Sequence, residues 1–247
     1  MNLPDEPKAL VLAAGRGKRL SEFTEDVNKA MLTFGNRHLI EYSLDNAVSL
    51  GVQEIVIVVG YQADQIRSTF GDSYRGVPVK YVLQAEQRGV VHAIECSQAI
   101  IGETDFLLLL ADEFFLRPEH PAFLRYFREE RAFAVCGIVY VQDPQRIRKT
   151  YSVQADAETR RVFRLIEKPA NPVNNIMGTG NILFRKDIFR YVPLTPVHPQ
   201  RGEKELPALI QCAIDDGHKV LFFPLASAYA NVNTSEDLSL LIEEHSR

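Results

Sequence analysis

The sequence contains no tryptophan, three methionines and three cysteines in 247 residues. Cys96, Cys136 and Cys212 are odd in number and far apart, with no C-x-x-C pair. That argues against a disulfide framework or a cysteine zinc site and suits reduced thiols in a cytoplasmic protein. The six histidines show neither the H-x-x-x-H nor the H-E-x-x-H spacing of zinc sites. No serine stands in a G-x-S-x-G setting, so nucleophilic hydrolysis has no support. Basic charge is not in surplus either. The 28 Lys and Arg face 32 Asp and Glu, and a net charge of −4 gives no global pull toward nucleic acid or acidic membranes. No apolar run approaches the ~20 residues of a membrane span. Met1-Asn2-Leu3-Pro4-Asp5-Glu6 has neither a basic n-region nor an apolar h-region. The expectation is a cytoplasmic protein with no nucleic-acid or membrane partner.

Against this acidic balance, three cations crowd into four positions near the start, in Leu12-Ala13-Ala14-Gly15-Arg16-Gly17-Lys18-Arg19-Leu20. The preceding apolar residues 9–12 read as a short buried strand. A glycine-rich turn after a strand gathers backbone N–H groups into an anion-binding concavity, and the cations add formal charge. The stretch therefore reads either as a polyphosphate loop or as an ordinary strand-to-helix loop with solvated basic residues. It is not a Walker loop, because Leu12 holds the place of the first glycine and Arg19 that of the hydroxyl. Nor is it a dinucleotide fingerprint, because Leu20 replaces the third glycine.

Strand and helix alternate through the first half. Helical spacing of Ile40, Leu44, Ala47 and Val48 predicts a helix over residues 37–50, closed by Gly51. Residues 54–59 are β-branched and almost wholly apolar, as a strand buried on both faces should be. A helix at 63–70, a strand at 79–83, a helix at 90–101 and a strand at 106–110 follow. This order predicts βαβ units and a parallel sheet covered on both faces. The second half is mixed. Strands are expected at 132–141, 151–154, 161–166, 177–184 and 219–223, with helices near 186–191, 203–216 and 235–245. The expected fold class is α/β, with a mostly parallel central sheet and a mixed second half.

Ligands of doubly wound sheets bind beyond the carboxyl ends of the strands. Asp112 follows the apolar run 106–111 and should face that cleft. A lone carboxylate there suits Mg²⁺, which takes oxygen ligands and keeps waters and substrate phosphates in its shell. The alternative is that Asp112 caps a following helix. Glu113 reads as a second ligand or as a solvated side chain. Arg146, Arg148 and Lys149 read as a solvated face more readily than as an anion site.

Several stretches together resemble the sugar-phosphate nucleotidyltransferases, the family that makes nucleotide-diphosphate sugars. Leu12 to Leu20 is similar to that family's L-x-G-G-x-G-T-R-L, and Lys29 follows about ten positions later. The segment from Gln84 through Gly89 to Ala93 resembles its Q-x-x-x-x-G-x-x-x-A base-binding stretch. Ala111-Asp112 resembles the G-D that holds metal, and Glu167-Lys168-Pro169 reproduces E-K-P. Val232-Asn233-Thr234-Ser235-Glu236-Asp237-Leu238 is similar to the closing T-P-E-D-L segment. The resemblance runs over roughly residues 8 to 241.

It implies a single nucleotidyltransferase domain over residues 1–247 with a Rossmann-like nucleotide-diphospho-sugar transferase fold. The implied reaction joins a nucleoside triphosphate, dTTP or UTP by preference, to a sugar 1-phosphate and releases pyrophosphate. Arg19, Lys29 and Lys168 are implied as catalytic cations. Leu12, Ala13, Ala14, Gly15, Arg16, Gly17, Lys18, Gln84 and Gly89 are implied to bind the nucleotide. Gly137, Glu167 and Gly180 are implied to face the sugar. Mg²⁺ is the implied cofactor, held by Asp112 with Asn231 or Asn233. Three departures stand out: Ala14 for a glycine, which requires negative φ there; Lys18 for a threonine; and asparagines where an aspartate usually completes the metal site. The last keeps a non-catalytic nucleotide-sugar-binding regulator open, and a GTP- or CTP-specific relative is a further alternative. A glycosyltransferase is disfavoured because Asp112-Glu113-Phe114 is not D-x-D. The sequence leaves a homo-oligomer open.

Overall fold

Three apolar strands lie side by side because their side chains have somewhere to go on both faces. A computed structural model describes residues 6–16, 27–34 and 36–232. The strands, in chain order, are β1 (Lys8–Ala13), β2 (Thr33–Phe34), β3 (Arg37–His38), β4 (Glu54–Val59), β5 (Ser73–Tyr74), β6 (Val77–Leu83) and β7 (Phe106–Leu110). They continue as β8 (Glu113–Leu116), β9 (Ala134–Tyr140), β10 (Tyr151–Ala155), β11 (Val162–Glu167), β12 (Ile176–Phe184), β13 (Val220–Pro224) and β14 (Ala228–Asn231). The helices are α1 (Leu39–Leu50), α2 (Ala63–Phe70), α3 (Val90–Ile101), α4 (His120–Glu129) and α5 (Leu206–Asp215), with 3₁₀ turns at Lys29–Met31, Pro144–Lys149 and Lys186–Tyr191.

The main sheet has ten strands in the order β11-β10-β12-β7-β1-β4-β6-β5, with β9 paired to β12 and β13 to β9. β6, β4, β1 and β7 are mutually parallel. β12 runs antiparallel to β7, β9 and β10, which makes the second half mixed, as expected from sequence. The period-two alternation of a strand sends successive residues to opposite faces. On β1, Ala9, Val11 and Ala13 join one core with Ile40, Leu44, Ile66 and Phe123 of α1, α2 and α4. Leu10 and Ala14 join the other core with Val91, Ile94, Leu209 and Ile210 of α3 and α5. Helices thus cover both faces, and β1, β4 and β7 read as continuous apolar runs.

The chain leaves β1 toward β4 and β6 on one side, then returns to β7 on the other. This reversal beside β1 is the topological switch point, where the loops diverge and a crevice opens. α1 begins two residues later than the helical spacing suggests, because Arg37 and His38 pair with Thr33 and Phe34. Asp112 caps no helix. The chain enters β8 instead, which pairs antiparallel with β14. The expected closing helix at 235–245 lies outside the described residues. Among the described residues no helix is long and apolar enough to cross a membrane.

Candidate active site

A cavity of about 430 Å³ opens at the switch point. Residues 12–16 at the end of β1 and beyond it, residues 110–112 at the end of β7 and beyond it, Gln84 after β6 and the first turn of α3 line it, with Asn28, Lys29, Gln87 and Glu203.

Asn28 sets the position of Lys29. Fully buried, it donates from Nδ2 to the carbonyls of Ala13 (3.0 Å) and Tyr61 (2.6 Å). Its Oδ1 caps the 3₁₀ turn by accepting from Ala30 N at 2.8 Å. The turn then carries the Lys29 side chain across the cavity to Asp112, Nζ to Oδ2 at 2.5 Å. The two side chains are 11% and 26% exposed, so the pair is shielded but still reaches the cavity. We expect Asn28→Ala to cost about 2–3 kcal/mol in urea unfolding, since it strands two carbonyls and one N–H in a dry place. A loss below about 1 kcal/mol would show that other contacts hold the turn.

The loop backbone is braced as well. Ala14 accepts from Gln87 Nε2 at 2.7 Å and from Tyr61 N at 3.3 Å. Ala14 is not among the described residues with positive φ, so the alanine meets the condition its place in the loop imposes. Arg16 stacks over the Tyr61 ring at 5.0 Å and lines the cavity. Gly17, Lys18 and Arg19 lie outside the described residues, as does Asn233.

At the other wall, Gly89 starts α3 with φ +87°, and a Cβ there would stand 2.7 Å from Glu203 Oε2. Only glycine suits both the backbone angle and the contact. Gln84 is 4% exposed, and its Nε2 donates to the Gly89 carbonyl at 3.0 Å.

Behind Asp112 lies a buried polar network. Glu113 is 1% exposed and accepts from Gly180 N (2.7 Å), Asn181 Nδ2 (2.9 Å) and the Tyr229 hydroxyl (2.7 Å). Burial outweighs these donors and pushes its carboxyl up to about 7. Asn181 Oδ1 in turn meets His120 Nε2 at 2.8 Å, and burial pushes that imidazole down to about 4, keeping it neutral. Glu113 is thus neither solvated nor turned to the cavity, a correction to both sequence readings. Asn231 faces Glu113 across the β8–β14 ladder, and Val232 N donates to the Asp112 carbonyl at 2.9 Å. Asn231 does not itself line the cavity.

Glu167 and Lys168 close the end of β11 and also lie outside the cavity lining. Lys168 Nζ meets Glu167 Oε1 at 3.0 Å. Burial raises the Glu167 carboxyl, and the Lys168 charge lowers it in part. Lys168 has φ +43° although Pro169 follows, and its N–H is tied to the Thr150 carbonyl at 2.7 Å. A residue before proline ordinarily takes extended backbone, so this one is strained. Such strain persists where surrounding structure over-determines it, often at functional sites. Gly137 and Gly180, expected to face a sugar, meet protein where a Cβ would stand. At Gly137 the nearest atom is the Asn181 carbonyl oxygen (2.7 Å), and at Gly180 it is Leu110 Cγ (2.3 Å). Gly180 reaches the cavity only through Leu110, which lines it. Arg146, read as a solvated cation, donates to the Tyr229 carbonyl at 2.8 Å.

Sequence reasoning passed over Asn28, Gln87, His92 and Glu203. Asn28 had a local signal, a capping residue before a short apolar turn. Glu203 had none, because it meets Gly89 from a loop far along the chain.

Fold and site define the class: a doubly wound α/β protein whose cavity sits at the switch point and holds an ammonium–carboxylate pair. The nucleotidyl transferase family model matches residues 8–238, and the chain belongs to that family. It is 36% identical over 214 residues to UTP–glucose-1-phosphate uridylyltransferase AglF of Haloferax volcanii, covering 86% of each chain. It is 33% identical over 215 residues to a glucose-1-phosphate thymidylyltransferase of Streptomyces griseus, over 86% of this chain and 59% of that protein. The chain thus spans less than two thirds of the latter's length. A UDP-glucose pyrophosphorylase solved with UDP-glucose shares the fold, with a TM-score of 0.88 at 19% identity over 99% of each chain.

Proposed function

We propose that this protein is a single-domain nucleotidyltransferase that joins a nucleoside triphosphate, UTP or dTTP by preference, to a sugar 1-phosphate. The sugar phosphate oxygen attacks the α-phosphorus in line, the bond to the bridging oxygen of the β-phosphate breaks, and pyrophosphate leaves. The Lys29–Asp112 pair in the switch-point cavity carries this reading, because it sets a cation and a carboxylate beside a braced loop. Little covalent chemistry is asked of the protein in such a displacement; positioning and charge stabilisation dominate.

The donor set fits a hard divalent cation such as Mg²⁺. Asp112 offers a carboxylate that already holds positive charge, the Lys29 ammonium. A single carboxylate would leave most of the shell to phosphates and water, as is usual for Mg²⁺. Asp112 would hold the ion, with the amide of Asn231 or Asn233 as the second protein ligand. When bound, the ion withdraws charge from the α-phosphate.

The remaining chemistry belongs to the chain's own residues. Lys29 turns from Asp112 to a phosphate oxygen. Two like charges ~4 Å apart repel by ~4 kcal/mol at an effective dielectric near 20, so Lys29 and Lys168 make the approach of two phosphates affordable. The backbone of Leu12, Ala13, Ala14, Gly15 and Arg16, continuing into Gly17 and Lys18, cradles the triphosphate, and Arg19 braces the departing pyrophosphate. Gln84 and Gly89 meet the base, and Glu167 accepts from sugar hydroxyls. A pyrophosphate-release assay over UTP, dTTP, CTP and GTP with hexose 1-phosphates tests this. We expect turnover with a pyrimidine triphosphate and glucose 1-phosphate. No release with any pair by the folded protein overturns it.

A further inference from the structure

The Gln84 amide is held at one end only. Its Nε2 donates to the Gly89 carbonyl at 3.0 Å and lies 3.0 Å from His92 Nδ1. The Gly89 contact decides which end is nitrogen, because the turned amide would set two carbonyl oxygens against each other. With Nε2 donating, His92 Nδ1 has to accept, and the imidazole proton sits on Nε2. That nitrogen lies 3.6 Å from Cys96 Sγ, a weak acceptor. It also lies 2.9 Å from the Arg88 guanidinium, a donor only, so a proton on Nε2 requires that exposed guanidinium to swing away toward Glu86, with which it already forms an ion pair at 3.3 Å.

The other end of the amide is left to the cavity. Oε1 of Gln84 has no hydrogen-bond partner among the described residues and is not one of the enclosed polar atoms without one. Gln84 lines the cavity and the adjoining pocket walled by Arg16, Tyr61 and Gln87, and its oxygen is open to that shared wall.

We propose that His92 is a positioning residue for base selection. By accepting from the Gln84 amide it keeps an acceptor, Oε1, turned into the cavity, so the site takes a base that presents a ring N–H. The imide of uracil or thymine offers that N–H between two carbonyls. Cytosine offers a bare ring nitrogen at the same place, and two lone pairs then face each other. Without His92, rotation of the amide costs one bond fewer, and its NH₂ end serves cytosine. Two bases that differ by one mismatched hydrogen bond in a dry pocket are well discriminated, because a buried group is left unpaired. This rests on the nucleotide reading of the cavity given above.

Calorimetric titration of the full chain with UTP and with CTP, in buffer containing MgCl₂, tests the proposal independently of turnover. We expect the wild type to bind UTP at least about tenfold more tightly than CTP. In His92→Phe and His92→Ala, which accept nothing from Gln84, that ratio should fall toward one. His92→Gln, whose side-chain carbonyl can accept, should restore it to within about threefold of the wild type. A ratio unchanged in both non-accepting variants, an equal loss for both nucleotides, or a wild type that binds CTP as tightly as UTP overturns it. If the wild type binds neither nucleotide, the nucleotide reading falls and the proposal with it. Binding without pyrophosphate release overturns only the catalytic reading, and the ratios still decide the role of His92. Circular dichroism of each variant separates a misfolded chain from a mispositioned amide.

Discussion

Replacing Asp112 by asparagine should lower kcat by at least about 10³-fold, some 4 kcal/mol of barrier, while leaving the fold nearly as stable as before. The reason is geometric. Asp112 ends a dry strand run, and its Oδ2 is the oxygen that Lys29 Nζ approaches to 2.5 Å. Asparagine keeps the shape but loses the charge that attracts a cation. The ion pair is part-exposed, so its loss should cost the fold no more than about 1 kcal/mol. Lys29→Met should also slow the reaction strongly, but with a different signature, because it removes charge from a phosphate and leaves the carboxylate in place. The measurement is kcat and KM by pyrophosphate release across a magnesium titration. Asp112→Asn should need more magnesium for half-maximal rate, whereas Lys29→Met should not. Activity of Asp112→Asn within tenfold of the wild type would sink the role assigned to this residue.

Glu113→Ala should destabilise the protein by about 3–5 kcal/mol, by leaving Gly180 N–H, Asn181 Nδ2 and the Tyr229 hydroxyl without their acceptor in a dry site. Glu113→Gln should be milder and should change how stability depends on pH. Burial raises the native carboxyl from 4.5 to about 7, so the folded state keeps a proton that the unfolded chain releases. Between pH 4.5 and about 7 the unfolded chain therefore gains on the folded one, and stability falls as pH rises through this window. The contribution is about 3 kcal/mol in all and is complete above the native value. Glutamine has no such proton, so the stability of the wild type relative to Glu113→Gln should decline across that range. Urea unfolding of both proteins at half-unit pH steps checks it. A difference that stays flat with pH would show that Glu113 ionises as an ordinary surface carboxyl does.

Much of the fold's first half was legible in the chain. Phe106–Leu110, Val90–Ile101 and Ala63–Phe70 stand where periodicity and flanking glycines place them. These segments are decided locally: an apolar strand needs cover on both faces, and a helix needs its 3.6-residue stripe and an end. β8 and β14 were not legible. Glu113–Leu116 is four residues long and opens on a charged residue, and its partner strand lies more than a hundred positions away. The 3₁₀ form of Lys186–Tyr191 escaped for a related reason, since the apolar spacing that places Ile188 and Phe189 in the core fits either helix.

The same division runs through the site. The sequence by itself determined which residues bear charge and where they fall along the chain. Arg16 and Lys29 lie in or after a glycine-rich loop, Asp112 follows an apolar run, and Glu167-Lys168 precedes a proline. It also determined that Arg16 and Asp112 follow strands of the parallel half, and hence that they lie at one end of that sheet. Only the tertiary structure decided which of them meet. Lys29 reaches Asp112 because β1 and β7 are neighbours, a pairing that no local pattern encodes. Glu113 turns inward because Gly180 leaves room and Asn181 and Tyr229 bring donors from other strands. Gln84 turns its nitrogen toward the Gly89 carbonyl and His92, which the first turn of α3 brings beside it. Charge and periodicity are properties of the chain; burial, pairing and hydrogen-bond direction belong to neighbours that the fold supplies.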